Sequence, residues 1–182
     1  NELGYKHLGI AEDEYPTEDN LPMIPYHRES RRFYGLVDFT LPYVRNPYDA
    51  PNPLYRTGVA VGDYTIDHHH KKNLNAPEID FIKIRVPSYN VPLGALIPKN
   101  HPALILAEKS ISVSNIVNGA SRLQPVVLGI GHAAGVLASI TSKNSKRLDE
   151  ISIRQVQLGL LNQGAYIMPF IDLNPRDPHF MA

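Results

Sequence analysis

From Pro125 to Ser142 the chain carries no Asp, Glu, Lys or Arg. Pro125 suits the first turn of a helix, where its missing N–H breaks no intrahelical bond. Val126, Val127, Leu128, Ile130, Ala133, Ala134, Val136, Leu137 and Ile140 then leave no polar face until Ser142 and Lys143. The pattern predicts a helix over Pro125–Lys143 that is buried on most sides. Gly129, Gly131, Ala133, Ala134 and Gly135 are small enough to let another backbone or a ligand come close to it.

The segments before this rod sort into two zones. Residues 1 to about 57 are rich in Pro, Tyr and charge, and the chain as a whole has 16 prolines in 182 residues. Proline fixes φ and removes a ladder donor, so turns, edge strands and covering loops are expected there. A short strand is expected at Arg32–Val37. From 58 to 107 the pattern reads as strands. Val59-Ala60-Val61 and Tyr64-Thr65-Ile66 flank Gly62-Asp63, and Phe81–Val86 alternates with period two. Ala103–Ala107 is a continuous apolar run, which suits a strand buried on both faces. Beyond the rod, a last helix should start at Ser152, with Gln155 completing a capping box, and stop at Gly164. The tail after Met168, with Pro169, Pro175 and Pro178, should wrap over the surface.

Charge and cysteine content exclude several classes. Eighteen Lys and Arg balance eighteen Asp and Glu, so bulk charge holds the chain to neither nucleic acid nor anionic lipid. With no cysteine there is no disulfide, thiolate metal site or cysteine nucleophile. No membrane span is expected, and no signal pattern opens at Asn1.

Two segments carry a resemblance. The first is Tyr26-His27-Arg28-Glu29-Ser30-Arg31-Arg32 followed by Gly62-Asp63-Tyr64-Thr65-Ile66-Asp67-His68-His69-His70. The second runs from Leu96-Ile97-Pro98-Lys99 through Ala103–Ala107, Ser110-Ile111-Ser112 and Gly119-Ala120-Ser121-Arg122-Leu123-Gln124-Pro125 to Gly131-His132-Ala133-Ala134-Gly135. Over residues 24 to 168 they resemble the C-terminal part of a family of FAD-dependent oxidoreductases. Some of its members are named xanthan lyase, usually in polysaccharide-degrading bacteria.

The resemblance implies an α/β, two-domain architecture, of which this chain is the C-terminal fragment. Residues 1–95 would be a substrate-domain portion, 96–168 the returning FAD-binding segment, and 169–182 a tail. Ala103–Ala107 would be the returning strand and Pro125–Lys143 the returning helix, with its N-terminal end toward the flavin. A helix N-terminus stabilises an anionic flavin or a phosphate. The cofactor contacts would be Arg122, Gly129, Gly131, His132, Ala133 and Gly135. Where the family carries Gly and Arg after the returning strand, this chain has Glu108 and Lys109, which should weaken FAD binding. It also lacks a strand–GxGxxG–helix unit, because Gly129-Ile130-Gly131 reaches Gly135 with the wrong spacing. An N-terminal FAD-binding half is therefore the expected partner, and the chain is expected to be inactive alone. A periplasmic or extracellular location would go with polysaccharide breakdown.

The polar candidates each have more than one reading. On a strand His68 and His70 share one face, and Asp67 and His69 the other. The histidines can serve as a general base for hydride transfer to FAD, with His68 and His70 in that role and His69 on substrate, or as metal ligands, or as structural side chains. No metal is assigned. Arg28 and Arg31 suit the carboxylate of an acidic sugar, or an ion-pair lattice around Glu29. Arg122 suits a flavin carbonyl or phosphate, or an ion pair with Glu108. Asp63 orients a histidine or caps the turn after Gly62. The expected function is oxidation of a small polar, sugar-derived substrate. The alternatives are a cofactor-less binding module and a xanthan-type lyase using His69 and Arg31.

Overall fold

Gly62 and Tyr89 show how the first pair of strands is chosen. In this computed structural model, which describes residues 15–20, 23, 31–48, 54–69 and 81–169, β1 (Gly58–Gly62) pairs antiparallel with β4 (Tyr89–Pro92). The register sets Gly62 opposite Tyr89, and a Cβ at residue 62 would collide with the tyrosine ring. Glycine there lets Tyr89 fold over the strand into the core, against Phe39 at 5.9 Å between centroids. A second pair, β2 (Ile66–His69) and β3 (Phe81–Ile84), is also antiparallel, with Asp67 opposite Lys83 and His68 opposite Ile82.

Among the described residues four α-helices accompany the strands: α1 (Leu41–Arg45), α2 (Asn115–Ser121), α3 (Gln124–Asn144) and α4 (Ile153–Leu161). Short 3-10 turns occupy Leu54–Thr57, Leu93–Leu96 and Leu148–Glu150. Helix α3 lies on β1, and a Cβ at Gly129 would stand 3.1 Å from the Ala60 Cβ. Helix α4 packs on α3 with Gly159 against Val136 and Ile140. The Gln157 side chain, buried beneath it, donates to the carbonyls of Arg56 and Gly58 at 3.1 and 2.9 Å. Val59, Val91, Leu96, Ile130, Leu137, Val156 and Leu160 form one core that spans both sides of residue 95. Each such side chain contributes about 1.5–3 kcal/mol by leaving water.

The rod is a helix within one residue of its expected bounds, but it is not buried on most sides. Leu128 is 73% exposed, and Gly135, Ala138 and Ser139 also face outward. By length and composition α3 is apolar enough to cross a membrane; here its inner face packs on β1 and α4 as a core helix. The largest correction concerns Ala103–Ala107. It is an extended path without a ladder partner among the described residues. Only Leu106 is buried, its N–H donating to Leu96 O at 2.9 Å, while Leu104 is 39% exposed. A strand buried on both faces needs a neighbour along each edge and a layer on each side, and the described residues supply neither.

Arg32–Val37 is not a strand either. It makes one isolated bridge, Gly35 to Pro98. The bridge is held by Leu36 N–H to Ile97 O at 2.9 Å and Lys99 N–H to Tyr34 O at 3.0 Å and extends no further, and a Cβ at Gly35 would stand 2.7 Å from the Ser112 Cβ and 2.8 Å from Gly94 O. The capping box at Ser152 does not form, because its side chain makes no cap bond. The stop at Gly164 holds: φ is +74°, in the left-handed region that glycine enters freely, and Ala165 N–H closes on Leu160 O at 3.0 Å.

Candidate cofactor-facing site

The joint between α2 and α3 is two residues long, and its geometry follows from its caps. Ser114 opens α2 by accepting from Val117 N–H at 3.3 Å. Gly119, Ala120 and Ser121 are buried, and their small size lets α2 sit against β2. Arg122 ends the helix, its N–H returning to Asn118 O at 3.1 Å, and Leu123 turns extended. Gln124 and Pro125 then start α3 at the surface. The first turn of α3 holds no acid, so its own side chains leave the positive end of the backbone dipole uncompensated.

Arg122 is the unusual group at this joint. It is only 7% exposed. One guanidinium nitrogen, Nη2, donates to the Asp67 carbonyl at 2.8 Å and fastens the joint to β2. The other, Nη1, is buried with no partner. A buried charged donor left unpaired costs roughly 1–3 kcal/mol or more, so such groups are uncommon unless something else meets them. Of the two readings of Arg122, the ion pair with Glu108 does not form. Glu108 is exposed at the turn after Ala107. Nearby, Asn118 donates to Lys109 O at 3.2 Å while its own side-chain oxygen is also buried and unmatched.

The other glycines and neighbours proposed for the cofactor wall point different ways. Gly129 faces β1. A Cβ at Gly131 would stand 3.4 Å from the carbonyl oxygen of Ala107, which places the 103–107 segment along the flank of α3. Ala133 is fully buried. His132 shares a 2.8 Å hydrogen bond with Gln163, just past α4. Gly135 has open space where a side chain would stand, but it lies about 16 Å up the helix from Gln124.

The structure brings the joint and the histidine strand together, since the carbonyl that holds Arg122 belongs to the residue before His68. His68 and His69 pair with Ile82 and Phe81; Arg28 and His70 lie outside the described residues. Arg31 belongs to another place, a cleft of about 350 Å³ at the start of α2 that Arg32, Tyr34, Asp38 and Asn115 also line. Asp63 neither caps the turn nor meets a histidine in the described contacts; its carboxylate accepts from Ser88 Oγ at 3.0 Å. It lies near the hydroxyl of Tyr89, and burial first, the Asp63 charge second, push that hydroxyl's pKa well above the usual phenol range. The sequence reading missed Tyr89, Asn118 and Asp38. Asn118 had a signal: a polar residue directly before the small run Gly119-Ala120-Ser121.

These elements define a mixed α/β chain whose longest apolar helix opens beside a buried, half-satisfied arginine. The chain belongs to the FAD dependent oxidoreductase family, whose model matches residues 2–160, reaching further toward the N-terminus than the resemblance drawn from residue 24. No curated protein and no solved structure matches it. The family implies FAD as cofactor, and the residues fit such a group at the orphaned Arg122 Nη1 and the acid-free tip of α3.

Proposed function

We propose that this chain is part of a flavin-dependent oxidoreductase that takes hydride from a small polar, sugar-derived substrate. The observation that carries the reading is the buried Nη1 of Arg122, a charged donor without an acceptor at the mouth of α3. An oxygen of FAD would complete it, and the free N–H groups of the first turn of α3 would add to the same contact. Bound FAD supplies an acceptor for two electrons and a hydride. The protein's part is to hold that acceptor, position the substrate and take a proton. His68 or His70 would take the hydroxyl proton of the substrate as its C–H bond gives up hydride, leaving a carbonyl product.

The outward face of α3 and the unpaired 103–107 segment support the further reading that a second, FAD-binding half covers them. Leu104 and Leu128 would leave water, and a strand laid along Ala103–Ala107 would satisfy its open edge. The test is the visible spectrum of the gene product purified together with whatever sequence precedes Asn1. Bound flavin gives a band near ~450 nm that bleaches when an oxidisable sugar is added without oxygen. A protein that retains no flavin after reconstitution with FAD refutes the proposal.

A further inference from the structure

The cleft at the start of α2 stands apart from the Arg122 joint, about 12 Å away along the helix. Its backbone walls are fixed from several directions. Phe33 N–H donates to Ser110 O at 3.3 Å, Phe39 N–H to Ser112 O at 3.0 Å, and Ser114 N–H to Phe39 O at 3.0 Å. Phe39 and Val113 form a parallel bridge, and the Phe33 ring rests edge-on against His101 at 6.0 Å between centroids. The hollow of about 350 Å³ is at the small end of the range for sites that hold small molecules.

Its side chains are matched to one kind of ligand. The Arg31 guanidinium is exposed and engaged by no described residue, and so is the Asp38 carboxylate in the same cleft. Arg32 and Asn115 line the same cleft, and Tyr34 adds a ring that is 83% exposed. A bare anion would meet Arg31 but be repelled by Asp38. A bare cation would meet Asp38 but be repelled by Arg31, and a neutral sugar would leave the Arg31 fork unused. A ring with hydroxyls and one carboxylate uses the groups that are open: Arg31 takes the carboxylate on two donors, Asp38 takes a hydroxyl, and the Tyr34 face covers the ring carbons.

We infer that this cleft binds a carboxylated monosaccharide, a uronate. The cleft is a binding site separate from the proposed flavin contact at Arg122 and the histidines of β2, and the binding itself requires no flavin. The test is isothermal titration calorimetry of the whole chain with sodium D-glucuronate, D-glucose and sodium acetate. Glucuronate should bind at least ~10-fold more tightly than either of the others. Arg31→Gln should erase that preference while leaving glucose unchanged, and Asp38→Asn should weaken both sugars and not acetate. Both positions are exposed, so an unchanged melting temperature should confirm that the variants fold. Glucuronate binding no tighter than acetate, or unaffected by Arg31→Gln, overturns the inference. A protein that acquires flavin yet ignores glucuronate refutes this inference alone. One that binds glucuronate and never acquires flavin refutes the redox reading alone.

Discussion

Replacing Arg122 by Met separates a strut from a ligand contact. The side chain is 93% buried by difference from its 7% exposure, and its two nitrogens have opposite fates. The bond from Nη2 to the Asp67 carbonyl, 2.8 Å long, has a charged donor and is worth about 1.5–3 kcal/mol net. The buried, unmatched Nη1 costs about 1–3 kcal/mol. Methionine keeps the stem, loses the bond and removes the orphan, so the two effects nearly cancel. Arg122→Met should shift the unfolding free energy of this chain by less than about 1 kcal/mol. In the flavin-loaded gene product the same change should strip or greatly weaken the flavin. The assay is urea unfolding followed by far-UV circular dichroism and tyrosine emission, since the chain has ten Tyr and no Trp, beside the flavin content of the purified protein. A loss above about 3 kcal/mol would show a fully compensated buried ion whose removal breaks the fold. In that case, or if flavin were retained in full, the orphaned nitrogen would not be a cofactor contact.

Tyr89→Phe should raise stability at neutral pH by about 1 kcal/mol, because the buried hydroxyl has no partner. It should also change the alkaline limb. The folded-state pKa of Tyr89 lies above its unfolded value, for reasons of burial and then the Asp63 charge. Its contribution is therefore complete below the unfolded pKa near 10 and is lost as pH rises beyond it, at up to about 1.4 kcal/mol per pH unit. If wild type and Tyr89→Phe lose stability in parallel above that pH in urea titrations, the hydroxyl is not buried as described. Gly135→Ala should stabilise α3 by about 0.5–1 kcal/mol, because nothing stands within 4 Å of the added carbon. Gly159→Ala meets Val136 Cγ1 at 2.8 Å and should lose about 1–3 kcal/mol to overpacking, less the helix gain. Equal thermal shifts for the two would contradict the α3–α4 packing.

Local signals in the sequence located what was local. The Pro125 start, the apolar period through Ile140 and the glycine past Leu161 marked α3 and the end of α4, because each is decided within a turn or two of backbone. Phe81–Ile84 showed its strand through alternation. The failures were questions of partnership. Ala103–Ala107 has the composition of a central strand, but composition does not supply the neighbour that a ladder needs. Arg32–Val37 reads as a strand, but its pairing is one bridge at Gly35, where the backbone of Gly94 and the side chain of Ser112 pack close. The helix α2 was missed because Asn115–Ser121 is short and mixes Gly, Ser and Asn, which local propensity disfavours; the Ser114 cap and burial against β2 compensate. Arg122 was legible as a candidate, but its half-satisfied state depends on the carbonyl of Asp67, fifty-five residues earlier.

Three open features among the described residues gather around α3. Arg122 Nη1 lies at the joint that opens α3. Leu128 stands out from its second turn, and the 103–107 segment runs beside it where Ala107 O meets Gly131. Separate partners would each have to repair a small defect of about 1–3 kcal/mol, too little to overcome the cost of association by themselves. A single body laid over the outer face of α3 would repair all three together: an acceptor for the guanidinium, cover for the leucines and a strand for the open edge. This economy is the physical argument for a cofactor-bearing half. On the proposed reading it would also tie the flavin to that face, since a half covering Leu128 and pairing Ala103–Ala107 would reach the tip beside the Arg122 donor.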